Sequence, residues 1–155
     1  MSRNRAHSQR HQYGFTLLEV LVALLVFSIG VLGLLGLWAG AVRYSTDAQQ
    51  RADATFLADQ LLGRMLISDP ATVSTFAHRP GGTAKCAPTG AASTNALVTE
   101  WLAEVTGLLG AKATEDLQQI VVNPVNGQVT VKLCWQNGSD ALHELAVTNL
   151  VQWQP

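Results

Sequence analysis

The sequence predicts an α+β fold: one long N-terminal helix, membrane-spanning in its first half and amphipathic in its second, packed on a small antiparallel β-sheet. Three observations lead there. Residues 20–42 are 23 positions without an ionisable side chain. No proline interrupts residues 15–68, and apolar residues in the second half of that stretch recur at helical spacing. Between Asn126-Gly127 and Asn137-Gly138, Val129, Val131, Leu133 and Trp135 alternate with Gln128, Thr130, Lys132 and Cys134, the period of a half-buried strand.

Length and charge narrow the function. A chain of 155 residues holds one modest core and has no room for two. With 48% hydrophobic and 14% charged residues it is not a disordered solvating chain. A formal net charge of −1 argues against nucleic acid as a partner. The charge is unevenly spread: residues 1–14 carry three arginines and no acid, whereas the remaining 141 carry 7 basic and 11 acidic side chains. A basic head, an apolar run and an acidic body form a membrane-targeting layout.

As a helix, residues 20–42 extend roughly 34 Å, enough to cross a hydrocarbon layer of ~30 Å. The run is apolar on every face, unlike the core helix of a soluble domain. The preceding arginines place the N-terminus in the cytoplasm, so the expectation is a single-span membrane protein with an exported C-terminal body. The competing reading is a cleaved secretory signal, for which Ala39-Gly40-Ala41 supplies an A-x-A site. The run is longer than the ~7–15 residues such a signal uses. Gly36 and Gly40 form one G-x-x-x-G; it either lets another helix approach closely or reflects the ordinary glycine content of membrane helices.

Glu19 needs an explanation. A carboxylate entering the bilayer costs about 2.5–3.5 kcal/mol near the centre on insertion scales, and less near the interface, where it could snorkel. The next basic side chain along the run is Arg43, at least six turns away. An acid without a mate in its own chain calls for one from another chain or from a new terminus.

Gly14-Phe15-Thr16-Leu17-Leu18-Glu19-Val20 resembles the processing signal of type IV prepilins and of the pseudopilins of type II secretion. The resemblance implies a type IV pilin-like fold. It also implies cleavage by prepilin peptidase between Gly14 and Phe15, with N-methylation of Phe15. A free α-amino group has a pKa of about 7.7–8 and is largely cationic at neutral pH. The resemblance thus gives Glu19 its mate, the terminal amine of an adjacent subunit, and a role in drawing that subunit into register. Residues 28–37, Leu57-Ala58-Asp59-Gln60 and Arg64-Met65 further resemble the type IV pilus modification (PilV) family of minor pilins. That likeness covers roughly residues 10–70. It implies other minor pilins, the major pilin, the assembly platform and a tip adhesin as partners, and initiation or capping of the pilus as the role. The alternatives are an I-type minor pseudopilin of type II secretion and a membrane-anchored periplasmic binding module.

The expected organisation is a basic leader at 1–14, the transmembrane half-helix at 15–42, the amphipathic half at 43–68, a loop plus short helix at 69–117, and an antiparallel sheet region at 118–155. In the amphipathic half Ala54, Leu57, Leu61 and Met65 form the apolar stripe, flanked by Leu62 and Leu66. Asp69-Pro70 ends the helix, because a residue before proline resists the α region. Residues 70–95 read as a mobile loop around Pro80-Gly81-Gly82. Residues 95–109 read as a helix with Leu97, Trp101, Val105 and Leu108 inward, capped by Thr94 or Asn95 and closed by Gly110. Strands are expected at 119–125, at 128–135 and at 142–151, with both Asn-Gly pairs in type I′ turns and Pro124 demoting the first to an edge.

In an oxidising compartment Cys86 and Cys134 would form one disulfide, closing a loop of roughly 49 residues worth about 4 kcal/mol in the chain-entropy model. Strand parity sets Cys134 with Thr130 and Lys132, away from the apolar face, so the loop around Cys86 must reach the outer side or edge of the sheet. Two free thiols are the other reading.

No enzyme chemistry is expected. Ser139, Asp140 and His143 crowd one turn, whereas a triad draws on separate elements. His7 and His11 have metal-ligand spacing but lie in the leader, and no nucleotide-binding glycine loop is present, so neither metal nor cofactor is expected. Trp101, Trp135 and Trp153 read as core or interface aromatics.

Overall fold

The computed structural model describes Gly14, residues 16–138 and residues 140–151. Its elements are helix α1 (Leu17–Leu66), a 3-10 helix (Pro70–Phe76), helix α2 (Ala96–Leu109), a second short 3-10 helix (Glu115–Leu117) and strands β1 (Gln119–Asn123), β2 (Gln128–Trp135) and β3 (His143–Leu150). The chain divides into two compact units, Met1–Arg43 and Tyr44–Pro155.

In the first unit α1 is apolar and unburied. Leu17 is 83% exposed, Leu32 68% and Leu37 75%. Among the described residues α1 is the one helix long and apolar enough to cross a membrane, and no residue of its most apolar window is buried. Ser28 turns its hydroxyl back to the Leu24 carbonyl at 2.7 Å, removing a polar group from the apolar surface.

The second unit has a core. From α1 it takes Ala54, Leu57, Ala58, Leu61, Leu62 and Met65, with Leu66 exposed at the helix end. Trp101 of α2 is fully buried and donates its indole N–H to the Leu57 carbonyl at 2.8 Å, tying α2 to α1. The sheet has the order β1-β2-β3, antiparallel throughout, and buries Ile120, Val129, Val131, Leu133 and Trp135 against the helices. This is the expected long helix on a small antiparallel sheet, an α+β fold of type IV pilin-like kind.

The structure departs from expectation in four places. Residues 70–76 are not loop: α1 ends at Leu66, and Asp69 caps the next turn, its Oδ1 accepting from the Ala71 N–H at 2.9 Å. Pro70 occupies the first helical position, where its missing N–H costs nothing, and Val73 and Phe76 point into the core. The segment after it is pinned rather than loose. His78 pairs with Ile120, Gly81 pairs with Thr89, and the His78 ring is buried. Its Nδ1 accepts from the Ser93 N–H at 3.1 Å, which leaves Nε2 to donate to the Glu115 carbonyl at 2.9 Å.

Helix α2 starts and stops where expected, with Asn95 Oδ1 accepting from the Leu97 N–H at 2.9 Å and Gly110 closing it at φ 96°. Its inward face is rotated. Val98, Leu102 and Leu109 join Trp101 and Val105 inside, while Leu97 and Leu108 are 39% and 49% exposed. The helix is apolar on adjacent positions, so spacing alone fits two faces. The Asn-Gly turns are not type I′ either. Gly127 (φ 71°) and Gly138 (φ 54°) take the left-handed conformation, but neither Asn126 nor Asn137 has positive φ. Pro124 ends β1 at Asn123, lengthening the first connection; Asn123 Oδ1 and Asn126 Oδ1 cap the Val125 and Gln128 N–H groups at 3.0 Å each.

Candidate processing and assembly site

The site begins where α1 begins. Thr16 is the residue before the helix, and its hydroxyl accepts the Glu19 N–H at 3.3 Å. Thr16-x-x-Glu19 is a capping-box pattern, a signal readable in the sequence. Among the described residues the Glu19 carboxylate does not accept from the Thr16 N–H in return. The carboxylate therefore has no hydrogen bond or ion pair among the described residues, beside the exposed Val20 and Leu21. Ala23 leaves a shallow notch between Glu19 and Phe27, also lined by Val20 and Leu24.

Gly14 is exposed, and Phe15 lies outside the described residues. Gly36 and Gly40 have open space where a Cβ would be, with nothing within 4 Å among the described residues.

The cysteine site lies in the second unit. Cys86 and Cys134 are bonded, with Cα atoms 5.7 Å apart. Cys134 is on the side of the sheet opposite Val131 and Leu133, as its parity requires, yet it is buried. Residues 79–90 cover it. The Gln119 amide nitrogen donates to the carbonyls of Arg79 at 3.1 Å and Gly81 at 2.6 Å, holding this segment on the outer face. Gln118 sits behind the bond, accepting from the Cys134 N–H at 2.8 Å and donating to its carbonyl at 3.0 Å. Glu144 Oε2 accepts from the Cys86 N–H at 3.0 Å, and Cys86 itself sits at φ 51°. The two buried glutamines carry no pattern in the sequence, because the carbonyls they satisfy are brought to them by distant backbone.

Ser139 lies outside the described residues, as do His7, His11 and Trp153. His143 instead stacks on Trp135 at 5.6 Å and sets Nδ1 3.4 Å from Asp47 Oδ1 on α1. Arg64 and Glu104 form a part-buried pair at 2.8 Å between α1 and α2, and the guanidinium's hydrogen bond holds the Glu104 carboxyl below the ordinary carboxylate range. Asp116 is lowered in the same sense, chiefly by the Thr114 hydroxyl.

An apolar helix headed by a carboxylate without a partner among the described residues is followed by a small disulfide-bonded domain. Residues 9–35 match the family model described as the prokaryotic N-terminal methylation motif. The match spans Gly14, Phe15 and Glu19, so the chain carries a prepilin-type motif, which indicates a type IV pilin-like or pseudopilin protein. No curated protein and no solved structure is significantly similar to the chain.

Proposed function

We propose that the chain is a minor pilin of the type IV pilus, matured by prepilin peptidase and assembled with other minor pilins to initiate or cap the filament. Cleavage falls between Gly14 and Phe15, and Phe15 is then N-methylated. The precursor crosses the inner membrane once, with its N-terminus cytoplasmic and its disulfide-bonded domain periplasmic. After processing it joins the pilus, where its partners are the major pilin, the other minor pilins, the assembly platform and a tip adhesin.

The observation that carries this reading is Glu19: a carboxylate without a counter-charge among the described residues, on a helix whose apolar surface its own chain leaves open. The cationic terminal amine of a neighbouring subunit supplies the charge, and the notch over Ala23 supplies room for it. The paired charges then lie among the apolar side chains of packed helices, where each alone would be costly. Gly36 and Gly40, open on this chain, give a second place for a neighbouring helix to approach.

Glu19→Ala tests it. Processing should survive while incorporation into filaments falls; unchanged incorporation would leave a plain membrane-anchored module. An I-type pseudopilin of type II secretion shares the same chemistry at residues 14–40. The two machines separate by phenotype, with deletion abolishing twitching motility and sparing protein secretion if the pilus reading holds.

A further inference from the structure

The two Asn-Gly pairs share a sequence but not a hydrogen-bonding pattern. In such a pair the glycine nitrogen can attack the asparagine Cγ, because no Cβ on the glycine hinders the approach. Three groups govern that step in a folded chain: the attacking N–H, the peptide carbonyl conjugated with it, and the asparagine side-chain amide.

At Asn126-Gly127 the reacting groups are held back. The Gly127 N–H donates to the Asn123 carbonyl at 3.0 Å, so the nitrogen keeps its proton. Asn126 Oδ1 accepts from the Gln128 N–H at 3.0 Å, which fixes the side-chain amide. The Gly127 carbonyl accepts from the Val151 N–H at 2.8 Å, tying the turn to the residue after β3.

At Asn137-Gly138 the pattern is reversed. Among the described residues neither the Gly138 N–H nor the Asn137 side chain makes a hydrogen bond, and Gly138 is exposed to water. The Asn137 carbonyl instead accepts from the Asp140 N–H at 2.8 Å. That oxygen shares the negative charge of the peptide nitrogen once its proton is gone, so the Asp140 donor stabilises the nucleophile. Lys112 brings a cation to the same turn, its Nζ donating to the Gly138 carbonyl.

We propose that Asn137 is a self-modification site with water as its co-reactant, and that Asn126 is protected. The Gly138 N–H proton passes to solvent base, the nitrogen bonds to Asn137 Cγ, and the Cγ–Nδ2 bond breaks. The leaving nitrogen takes a proton from water and departs as ammonia. Water then opens the cyclic imide. Breaking the new N–Cγ bond yields aspartate; breaking the bond from nitrogen to the main-chain carbonyl yields isoaspartate, with the chain routed through Cβ. Nothing is oxidised or reduced, and one neutral amide becomes a carboxylate in the connection from β2 to β3. This inference does not rest on the pilin reading.

The test incubates the purified full-length chain in mildly alkaline buffer, once folded and once in denaturant, and follows both Asn-Gly peptides by mass spectrometry. Closure at Asn126 must break two hydrogen bonds that Asn137 lacks. In the folded chain Asn137 should therefore convert faster by about tenfold or more. In denaturant, where both sites are plain Asn-Gly pairs, the two rates should come together. Asp140→Pro removes the donor to the Asn137 carbonyl, so it should slow Asn137 in the folded chain and leave its rate in denaturant unchanged. Equal rates in the folded chain, a faster Asn126, or a gap that survives in denaturant would overturn the proposal. So would a folded Asp140→Pro chain that reacts at the parental rate. Should that variant not fold, the folded and denatured rates of the parent chain decide alone.

Discussion

Helix α1 passes through two environments, and its two parts show what a chain can and cannot do for itself. In residues 44–66, Leu57 and Leu61 are fully buried by the sheet and α2. In residues 17–43, leucines of the same chemistry stand more than half exposed, Leu35 at 55% among them. Fully burying such a side chain is worth about 1.5–3 kcal/mol, so the first part is satisfied only by lipid or by other helices. The second part stands on its own core. One region is built for company and the other for independence.

The sharpest way to break that contrast is by truncation at equivalent residues. Trp101→Ala should cost about 3–5 kcal/mol in denaturant unfolding of the C-terminal unit, since it opens a cavity and leaves the Leu57 carbonyl without its donor. Leu57→Ala should cost about 2–5 kcal/mol in the same assay, while Leu35→Ala on the same helix should leave that transition within about 0.5 kcal/mol. A comparable loss for Leu35→Ala would mean that the exposed half helps hold the domain.

Next in size is the disulfide. Cys86→Ser should lower stability by about 2–4 kcal/mol under oxidising conditions and by nothing further in reductant. Proteolysis should then cut first within 79–90, the segment the bond and Gln119 hold on the sheet.

The smallest effect is electrostatic. Glu104 is held below its ordinary value of 4.5 by Arg64, so its contribution is full above that pH and is lost as pH falls through the folded-state value. The pair is part-exposed and solvent-screened, so Glu104→Gln should cost about 0.2–1 kcal/mol at pH 7. The difference between variant and parent should vanish in acid titrations of unfolding; a difference that persists there would assign it to packing instead.

How legible each region was follows from the same division. The first half is written in local sequence: an uncharged run, Glu19 within it, and Gly14-Phe15 ahead of it. The second half is written in periodicity, which gave the α1 stripe, the Asn95 and Gly110 ends of α2, and the three-stranded meander. Periodicity failed where adjacent positions are both apolar, so Leu97 and Leu108 seemed inward when Val98 and Leu109 are. It also failed where composition suggested loop but a proline and an aspartate start a 3-10 helix at Pro70. The clamp of Gln118 and Gln119 was out of reach, since the Cys134 and Gly81 backbone it holds lies 16 and 38 residues away. Parity did foresee that a bonded Cys86 segment must reach the outer side or the edge of the sheet, and it lies on the outer side.

The central claim is that the exposed half of α1 begins as a processed terminus. Intact mass and N-terminal sequencing of the membrane-extracted protein, from cells with and without prepilin peptidase, test it most directly. A start at Phe15 bearing one added methyl group is expected, and a start at Met1 when the peptidase is missing. A start at Met1 in both strains would leave a simple anchor, and a start at Val42 would make residues 1–41 a discarded signal and remove Glu19 from the mature protein.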